Sequence, residues 1–418
     1  MSAPPHVVIL GGGFAGMGAV QKLGDAEVRI TLIDRNDYHT FQPLLYQVAT
    51  AELGPEEVAY PLRDLQRRHH HLTLHTDDVV RIDLPNKKVT TRGLGDVDYD
   101  YLVIALGSVV NFFGTEGAAD HAFPLYTMQD ALRVKNHLLK TFEAVDRQPA
   151  LAEGGALNVC IVGGGPTGVE MAGALADLIF VEFRKDYPSV PIDKAQVLLY
   201  EHSPSLLRMF KPELQAYAEQ ELTQRGVKVH TGSGVAKIGP DSITLSSGEV
   251  VKTQTLIWAA GLEANPLTTS LGVELVRGGR IPVGPDLQVQ GYPGVFAVGD
   301  IAAMTDGKTG EVLPGLGATA LQAGKHVGTA ISDLILGDTP EPFKYLDKGS
   351  MAQVGRGAAI AELPTGGTMT GHVAWMAWLG VHLALLNGVD ERASTVVDWG
   401  WNFVTHGRSK RLMFEKDE

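Results

Sequence analysis

The sequence predicts an α/β fold of two Rossmann-type units, the second inserted in the first, with a helical segment at the C-terminus. Three observations predict it. A glycine-rich pattern occurs twice, as His6-Val-Val-Ile-Leu-Gly-Gly-Gly-Phe-Ala-Gly16 and as Asn158-Val-Cys-Ile-Val-Gly-Gly-Gly-Pro-Thr-Gly168. Each copy is followed, after nearly the same interval, by a second matched segment, Tyr101-Leu-Val-Ile-Ala-Leu-Gly107 and Thr255-Leu-Ile-Trp-Ala-Ala-Gly261. A third apolar strand, Val295-Phe-Ala-Val-Gly-Asp300, precedes a helical stretch over 318–336 and returns the chain to the first unit. One match could be chance in a glycine-rich chain, but two pairs at matched spacing read as a duplicated α/β unit.

In each copy an apolar strand runs into Gly-x-Gly-x-x-Gly and then into a helical pattern. The first copy uses Gly11, Gly13 and Gly16 around Gly12, Phe14 and Ala15; the second uses Gly163, Gly165 and Gly168. Such glycines allow the tight turn, the close approach of a pyrophosphate and the packing of helix on strand. The helix start then offers free N–H groups and the positive end of its dipole to phosphate. An acid at the end of the next strand suits the ribose hydroxyls. In the first unit it is Asp34, followed by Arg35; in the second it is Glu201. The interval from Gly163 to Glu201 exceeds that from Gly11 to Asp34, and an insertion over 184–191, with Pro188 and Pro191 as breakers, accounts for the excess. A carboxylate at position 201 repels a 2′-phosphate, which favours NADH over NADPH. One difference separates the two helix starts: Gly18 in the first copy corresponds to Glu170 in the second. Thr167-x-x-Glu170 also fits a capping box, an alternative to a functional role for the acid.

Composition bounds the rest. The 418 residues call for two or three domains, and 44% hydrophobic with 20% charged residues describes a globular chain. A formal charge of −13 argues against nucleic acid, which requires a basic face. The single cysteine, Cys160, sits in an apolar strand pattern and reads as buried packing; it rules out an internal disulfide, a redox cysteine pair and a cysteine zinc site. Met1 to Pro5 carries no export-signal pattern, and no run reaches the roughly 18 apolar residues of a spanning helix. His69-His-His71 reads as a solvated polar run, with no metal site expected.

Taken together, the two glycine loops, the segment Asp37-Tyr-His-Thr-Phe-Gln-Pro-Leu-Leu-Tyr-Gln-Val-Ala-Thr50, the strand ending in Asp300, Tyr345-Leu-Asp-Lys-Gly-Ser-Met351 and the closing Trp399-Gly-Trp-Asn-Phe-Val-Thr405 resemble the type II NADH:quinone oxidoreductases, single-subunit respiratory NADH dehydrogenases that pump no protons. The resemblance covers nearly the whole chain. It implies non-covalent FAD in the first unit, with the Gly11 loop, Asp34, Arg35 and Gly107 around it, Val79 near the adenine and Asp300 bonding the ribityl chain. It implies NADH in the second unit, around the Gly163 loop, Glu201 and Gly261. Glu170 matches a family glutamate near the flavin. The family's AQxxxQ element falls on Ala318 to Gln322; Gln322 matches its second glutamine, and Ala318 replaces the first, which removes one side-chain contact expected for a quinone.

Domain boundaries on this reading are 1–115 with 290–342 for FAD, 116–289 for NADH and 343–418 for attachment to a membrane. In the last region residues 372–386 form an apolar helix too short to span, and Val396, Val397, Trp399, Trp401 and Phe403 follow, then Arg408, Lys410 and Arg411. Tryptophans near cations fit an interfacial helix pair, with the basic end adding attraction to lipid. A buried dimer interface is the alternative, and a homodimer is compatible with it. The implied activity is electron transfer from NADH through FAD to a membrane quinone, ubiquinone or menaquinone, at the cytoplasmic face of the cell membrane. Two other classes remain open on the same fold: a soluble NADH-dependent reductase of a ferredoxin, rubredoxin or small acceptor, and a nicotinamide-responsive binding protein with little turnover. The aromatic C-terminal segment speaks against the first, since such reductases have no need of it.

Overall fold

The computed structural model describes residues 3–24, 26–307, 310–405, 407–408 and 410–413. Met1 and Ser2, the start of the segment searched for an export signal, lie outside them. In chain order the elements that matter here begin with β1 (His6–Leu10), α1 (Phe14–Leu23), β2 (Arg29–Asp34), α2 (Leu45–Ala49), β3 (Leu72–Thr76) and β4 (Tyr101–Ile104). Next come β5 (Phe123–Pro124), α3 (Met128–Arg147), β6 (Asn158–Val162), α4 (Pro166–Ala176), β7 (Gln196–Glu201), β8 (Val227–Thr231) and β9 (Thr255–Trp258). The chain ends with β10 (Val295–Ala297), α5 (Gly317–Leu336), β11 (Ser350–Gly355), β12 (Ala358–Glu362), β13 (Thr368–Thr370), α6 (Gly371–Leu385) and α7 (Val389–Thr405).

Two compact units result. The first comprises residues 1–39, 61–109 and 262–346; the second comprises 40–60, 110–261 and 347–418. The first holds a five-stranded parallel sheet in the order β10-β4-β1-β2-β3, the second a five-stranded parallel sheet in the order β5-β9-β6-β7-β8. The duplicated glycine pattern therefore marks the same place in two equivalent sheets: β1 and β6 are both central, each flanked by the strand of its own matched segment. Central parallel strands are covered on both faces, so they read as unbroken apolar runs rather than alternations. In agreement, Val7, Val8, Ile9 and Leu10 are all fully buried. The edge strand differs between the copies: β5 precedes the loop in the second unit, while β10 is supplied after the insertion in the first.

The grouping of residues in space differs from the sequence-based boundaries, chiefly as follows. Residues 40–60 fold with the second unit, because α2 packs on α3 and α4 there. Residues 262–289 stay with the first unit, where Ile281–Pro282 pairs in parallel with Ala302–Ala303. The C-terminal region forms no separate body: from Asp347 it joins the second unit through β11, which lies against α4. That contact is close. A Cβ added at Gly173 of α4 would sit 2.0 Å from the Val354 carbonyl oxygen of β11.

The insertion expected over 184–191 begins earlier than the prolines suggest. α4 runs on as a π-helical segment, Asp177–Phe183, and then a short turn, before the chain reaches β7. Asp177 fixes this wider turn by accepting from the Arg225 guanidinium at 3.1 Å and from the Arg356 backbone N–H at 2.9 Å.

Candidate functional site

The two glycine loops adopt the same geometry in detail. Gly11 and Gly163 have φ of +98° and +113°, a conformation that side chains with a Cβ rarely adopt. A Cβ at Gly16 or Gly168 would lie 1.8 Å from the carbonyl oxygen of Gly11 or Gly163, so each helix start presses on its own loop. At Gly13 and Gly165 an added Cβ would meet nothing within 4 Å, which leaves the backbone of each loop open on that side. The acids do the same work in each copy. Asp34 accepts the Gly12 N–H at 2.6 Å and the Asn36 N–H at 2.7 Å; Glu201 accepts the Gly164 N–H and the Ser203 N–H, both at 2.6 Å. Each carboxylate thus ties its strand end to the loop. Burial pushes the Asp34 carboxyl above the usual carboxylate range, partly offset by its two backbone donors.

The first unit gathers the other residues named for FAD. Arg35 is exposed and lies 3.7 Å from Asp78, the neighbour of Val79, so both flank the strand end that carries Asp34. Gly107 accepts the Asn265 N–H at 3.1 Å. Asp300 accepts the Ser108 hydroxyl at 3.2 Å, and burial raises its pKa. Ala318 lies in the first turn of α5, a 20-residue helix with no side-chain cap. Its early N–H groups are therefore available to an anionic or carbonyl partner. Among the described residues of this unit, His39 Nε2 and Thr319 Oγ1 are buried polar atoms without a hydrogen bond, as are Tyr99 Oη and His326 Nε2. His39 belongs to the loop region, since its Nδ1 pairs with the Gly12 carbonyl at 3.0 Å and its ring meets Phe14 edge-on at 4.9 Å. Burial holds its pKa down at about 4, so it is neutral. An open glycine loop, an uncapped helix and unpartnered buried atoms fit a large polar ligand such as FAD. The sequence reading passed over His39 and Thr319, although His39 lies within a segment it had marked as distinctive.

Gln322 has a structural task within the same unit. Its amide nitrogen donates to the Leu346 carbonyl and its oxygen accepts the Leu346 N–H, both at 3.0 Å. One of its two amide N–H groups remains beyond this clamp.

In the second unit the Glu170 question resolves against the capping box. Pro166 opens α4 and Gly165 is its N-cap, so Glu170 lies past the first turn and cannot reach back. Instead it accepts the Gln353 N–H of β11 at 3.1 Å. β11 is an edge strand, whose outward N–H groups have no ladder partner, and Glu170 takes one of them. The comparison of the two helices now has a physical reason. At Gly18 a Cβ would lie 2.5 Å from the Leu321 carbonyl of α5, so α1 needs glycine there. In α4 the close approach is made by Gly173, which frees position 170 for a long side chain. Glu170 is 8% exposed, and burial pushes its pKa up to about 8, with the Gln353 N–H and the Trp378 indole opposing. At that value the carboxyl is mostly protonated at neutral pH.

A buried hydrogen-bond chain extends from this acid. The Tyr46 hydroxyl donates to Gln353 Oε1 at 2.7 Å, and Gln47 Nε2 donates to the Tyr46 oxygen at 3.1 Å. Gln47 Oε1 in turn accepts the Trp399 indole N–H at 2.8 Å. Beside it opens a cleft lined by Glu52, Gln353, Arg356, Trp375, Trp399 and Asn402. The sequence marked Trp375 and Trp399 for the membrane segment and Tyr46, Gln47 and Asn402 only as parts of distinctive segments; Glu52, Gln353 and Arg356 it did not single out, because the contacts join segments some 300 positions apart.

The C-terminal helices turn their apolar sides outward. On α6, Ala374, Trp378 and His382 face inward, while Val373, Met376 and Val381 are exposed. On α7, Thr395, Trp399 and Asn402 are buried, while Val396, Val397, Trp401 and Val404 are exposed, Val404 by 79%. A contiguous exposed apolar face marks a membrane or protein contact. The basic end does not join it. Arg408 is 2% exposed and donates to the Thr50 and Ala174 carbonyls. Lys410 is held by Glu57 at 2.9 Å, Glu56 at 3.0 Å and Asp398 at 3.3 Å, and Arg411 pairs with Asp186. Arg408 is thus spent on backbone carbonyls, and Lys410 and Arg411 on acids of their own chain, which corrects the reading of them as lipid-directed. Among the described residues no helix is long and apolar enough to cross a membrane.

Comparison with known proteins places the chain. Residues 5–324 match the pyridine nucleotide-disulphide oxidoreductase family and residues 348–409 the NDH2 C-terminal domain. The type II NADH:quinone oxidoreductase of Mycobacterium tuberculosis is 36% identical over 97% of this chain and 90% of its own. The chain belongs to the type II NADH:quinone oxidoreductases. The Staphylococcus aureus member is 32% identical over 84% of this chain and 87% of its own. NDH2 from Plasmodium falciparum, solved in complex with NADH, shares the fold with a TM-score of 0.89 at 19% identity, covering 98% of this chain and all of that one. A sulfide:quinone oxidoreductase from Aquifex aeolicus shares it at 0.72 and 19% identity, over 97% and 92%. As a family member the protein is an FAD-dependent NADH dehydrogenase that delivers electrons to a quinone without pumping protons. A buried Cys160, its thiol pushed up to about 12 by burial, is the only cysteine in the chain, so a cysteine-pair chemistry has no place in it.

Proposed function

We propose that the protein oxidises NADH at the second unit's glycine loop and reduces a ubiquinone or menaquinone drawn from the membrane, with Glu170 as the proton-exchanging group. When bound, FAD supplies the two-electron chemistry between NADH and the quinone. The Gly11 to Gly16 loop, Asp34, Arg35, Val79, Gly107, Asp300 and the start of α5 at Ala318 hold it. The Gly163, Gly165 and Gly168 loop, Glu201 and Gly261 hold NADH. Glu201 already accepts two backbone N–H groups on one side, and its remaining lone pairs suit ribose hydroxyls while repelling a 2′-phosphate. Gln322 directs its remaining amide N–H to a quinone carbonyl.

The observation that carries this reading is Glu170. One helix start of two equivalent units bears a buried, protonated carboxyl, held by a strand that the C-terminal region contributes. Quinone reduction by NADH takes up one proton from solution, and a carboxyl of pKa near 8 can give and regain one at neutral pH. The outward apolar face of α6 and α7 supports attachment to the cytoplasmic face of the membrane, by insertion of side chains rather than by charge. A homodimer through part of that face is compatible with it.

Steady-state NADH oxidation by purified protein with a short-chain quinone tests the reading. Glu170→Gln lowers turnover with quinone by about tenfold or more while FAD stays bound. Unchanged turnover removes Glu170 from the mechanism, and negligible activity in the wild-type holoprotein removes the reaction.

A further inference from the structure

A buried acid that releases a proton in every turnover must recover one from water, and Glu170 is closed off by α4, β11 and the indole of Trp378. The groups around it indicate a route. Gln353, whose N–H holds Glu170, also lines the cleft with Glu52. The Tyr46 phenol, bonded to Gln353 Oε1, lies within electrostatic reach of both Glu170 and Glu52. Glu52 is the one carboxyl that lines the cleft. Its main chain is fixed on both sides: its N–H donates to the Gln47 carbonyl at 2.8 Å and its carbonyl accepts Asn402 Nδ2 at 3.0 Å. Among the described residues no hydrogen bond engages its carboxyl oxygens, and the residue is half-buried at the cleft. A side chain held at its root and free at its tip, between solvent and a buried acid, is built for proton transfer.

We propose that Glu52 is the relay that reprotonates Glu170 from solvent. It acts through Glu170 and touches no substrate, so the inference rests on the role given to Glu170 above. In the transfer the O–H bond of the Glu52 carboxyl breaks and an O–H bond forms on the Glu170 carboxylate, through water admitted to the cleft. Glu52 is left as a carboxylate and takes its next proton from solvent; no electrons change hands. The charges that face Glu52 suit this. Burial raises its proton affinity, the Arg408 and Arg356 guanidinium groups lower it, and the Asp177 and Glu182 carboxylates raise it. Burial is the largest of these influences, and the carboxyl is held above its usual range. Tyr46 and Gln353 position the two acids and need not themselves ionise.

The test uses FAD-loaded enzyme with Glu52→Gln and Glu52→Asp. FAD content, and the rate at which NADH reduces the enzyme anaerobically, should match wild type in both. Turnover with a short-chain quinone should fall about tenfold at pH 8 in Glu52→Gln and fall further as pH rises, because water alone is then a poor proton donor. Glu52→Asp, which keeps a carboxyl in place, should retain most of the activity. Two results overturn the proposal: a pH profile of Glu52→Gln superimposable on wild type, or a loss that is equal at every pH, which marks a packing role. If Glu52→Gln does not retain FAD, the pH profile of Glu52→Asp decides: a shift supports the relay and none overturns it. Should Glu170→Gln also behave as wild type, the reading of Glu170 fails; should Glu170→Gln be slow and Glu52→Gln normal, only the relay fails.

Discussion

In the Glu170→Gln variant a neutral amide of nearly the same shape replaces a carboxyl whose pKa is about 8 in the fold, against an ordinary value of 4.5. An acid with a raised folded pKa contributes stability that is fully present below pH 4.5 and is lost as pH climbs through 8. Each pKa unit corresponds to about 1.36 kcal/mol. Relative to wild type, the variant should therefore gain about 4 kcal/mol between pH 5 and pH 9, to order of magnitude. The new amide N–H can leave a buried donor unsatisfied, at about 1–3 kcal/mol, but that cost does not vary with pH. The change across pH is thus the quantity to read. All five tryptophans, Trp258, Trp375, Trp378, Trp399 and Trp401, lie in the second unit, so intrinsic fluorescence follows the unfolding of that unit. Urea unfolding of FAD-loaded wild type and variant at pH 5, 7 and 9 gives the comparison. A difference that stays constant over this range would refute the claim that Glu170 is held protonated by burial. The variant is expected to be more stable at high pH and slower in turnover, as befits a group kept in place for chemistry.

Other outcomes follow from the same geometry. Gly173→Ala forces β11 away from α4, because the new Cβ would meet only backbone atoms within 3.0 Å; urea titration should show a loss of about 1–3 kcal/mol. Val397→Asp with Val404→Asp should abolish sedimentation with lipid vesicles while leaving NADH oxidation by a water-soluble quinone intact; continued sedimentation would show that the outer face of α7 is not the contact. Lys410→Ala should leave vesicle binding unchanged and lower the unfolding midpoint, since it strands Glu57 and Asp398 among buried neighbours. Cys160 should resist thiol reagents in the native protein and react only on unfolding, which a mass shift after labelling would report.

How much of this was legible in the sequence depends on the range of the interaction. The glycine loops and their acids are local: Gly11, Gly163, Asp34 and Glu201 do their work through turn geometry and backbone donors nearby on the chain, and their spacing announced them. The helix starts at Pro166 with Gly165 as its cap, and proline at the first helical position prevails over the capping box that Thr167 and Glu170 suggested. Long-range pairing was not legible. Nothing in the sequence of Tyr46 and Gln47 says that they meet Gln353 and Trp399, or that residues 40–60 leave the first unit to pack on α3 and α4. Arg408, Lys410 and Arg411 looked like a free basic cluster because their partners are more than two hundred positions away: the Thr50 and Ala174 carbonyls for Arg408, Glu56 and Glu57 for Lys410, and Asp186 for Arg411.

The central claim is that electrons pass from NADH through bound FAD to a quinone in one polypeptide. Its most direct test is an anaerobic titration of the purified holoprotein, first with NADH and then with a short-chain quinone, followed by flavin absorbance. The account predicts that one equivalent of NADH bleaches the flavin band and one equivalent of quinone restores it. A band that NADH leaves unchanged, or that quinone fails to restore, would contradict it.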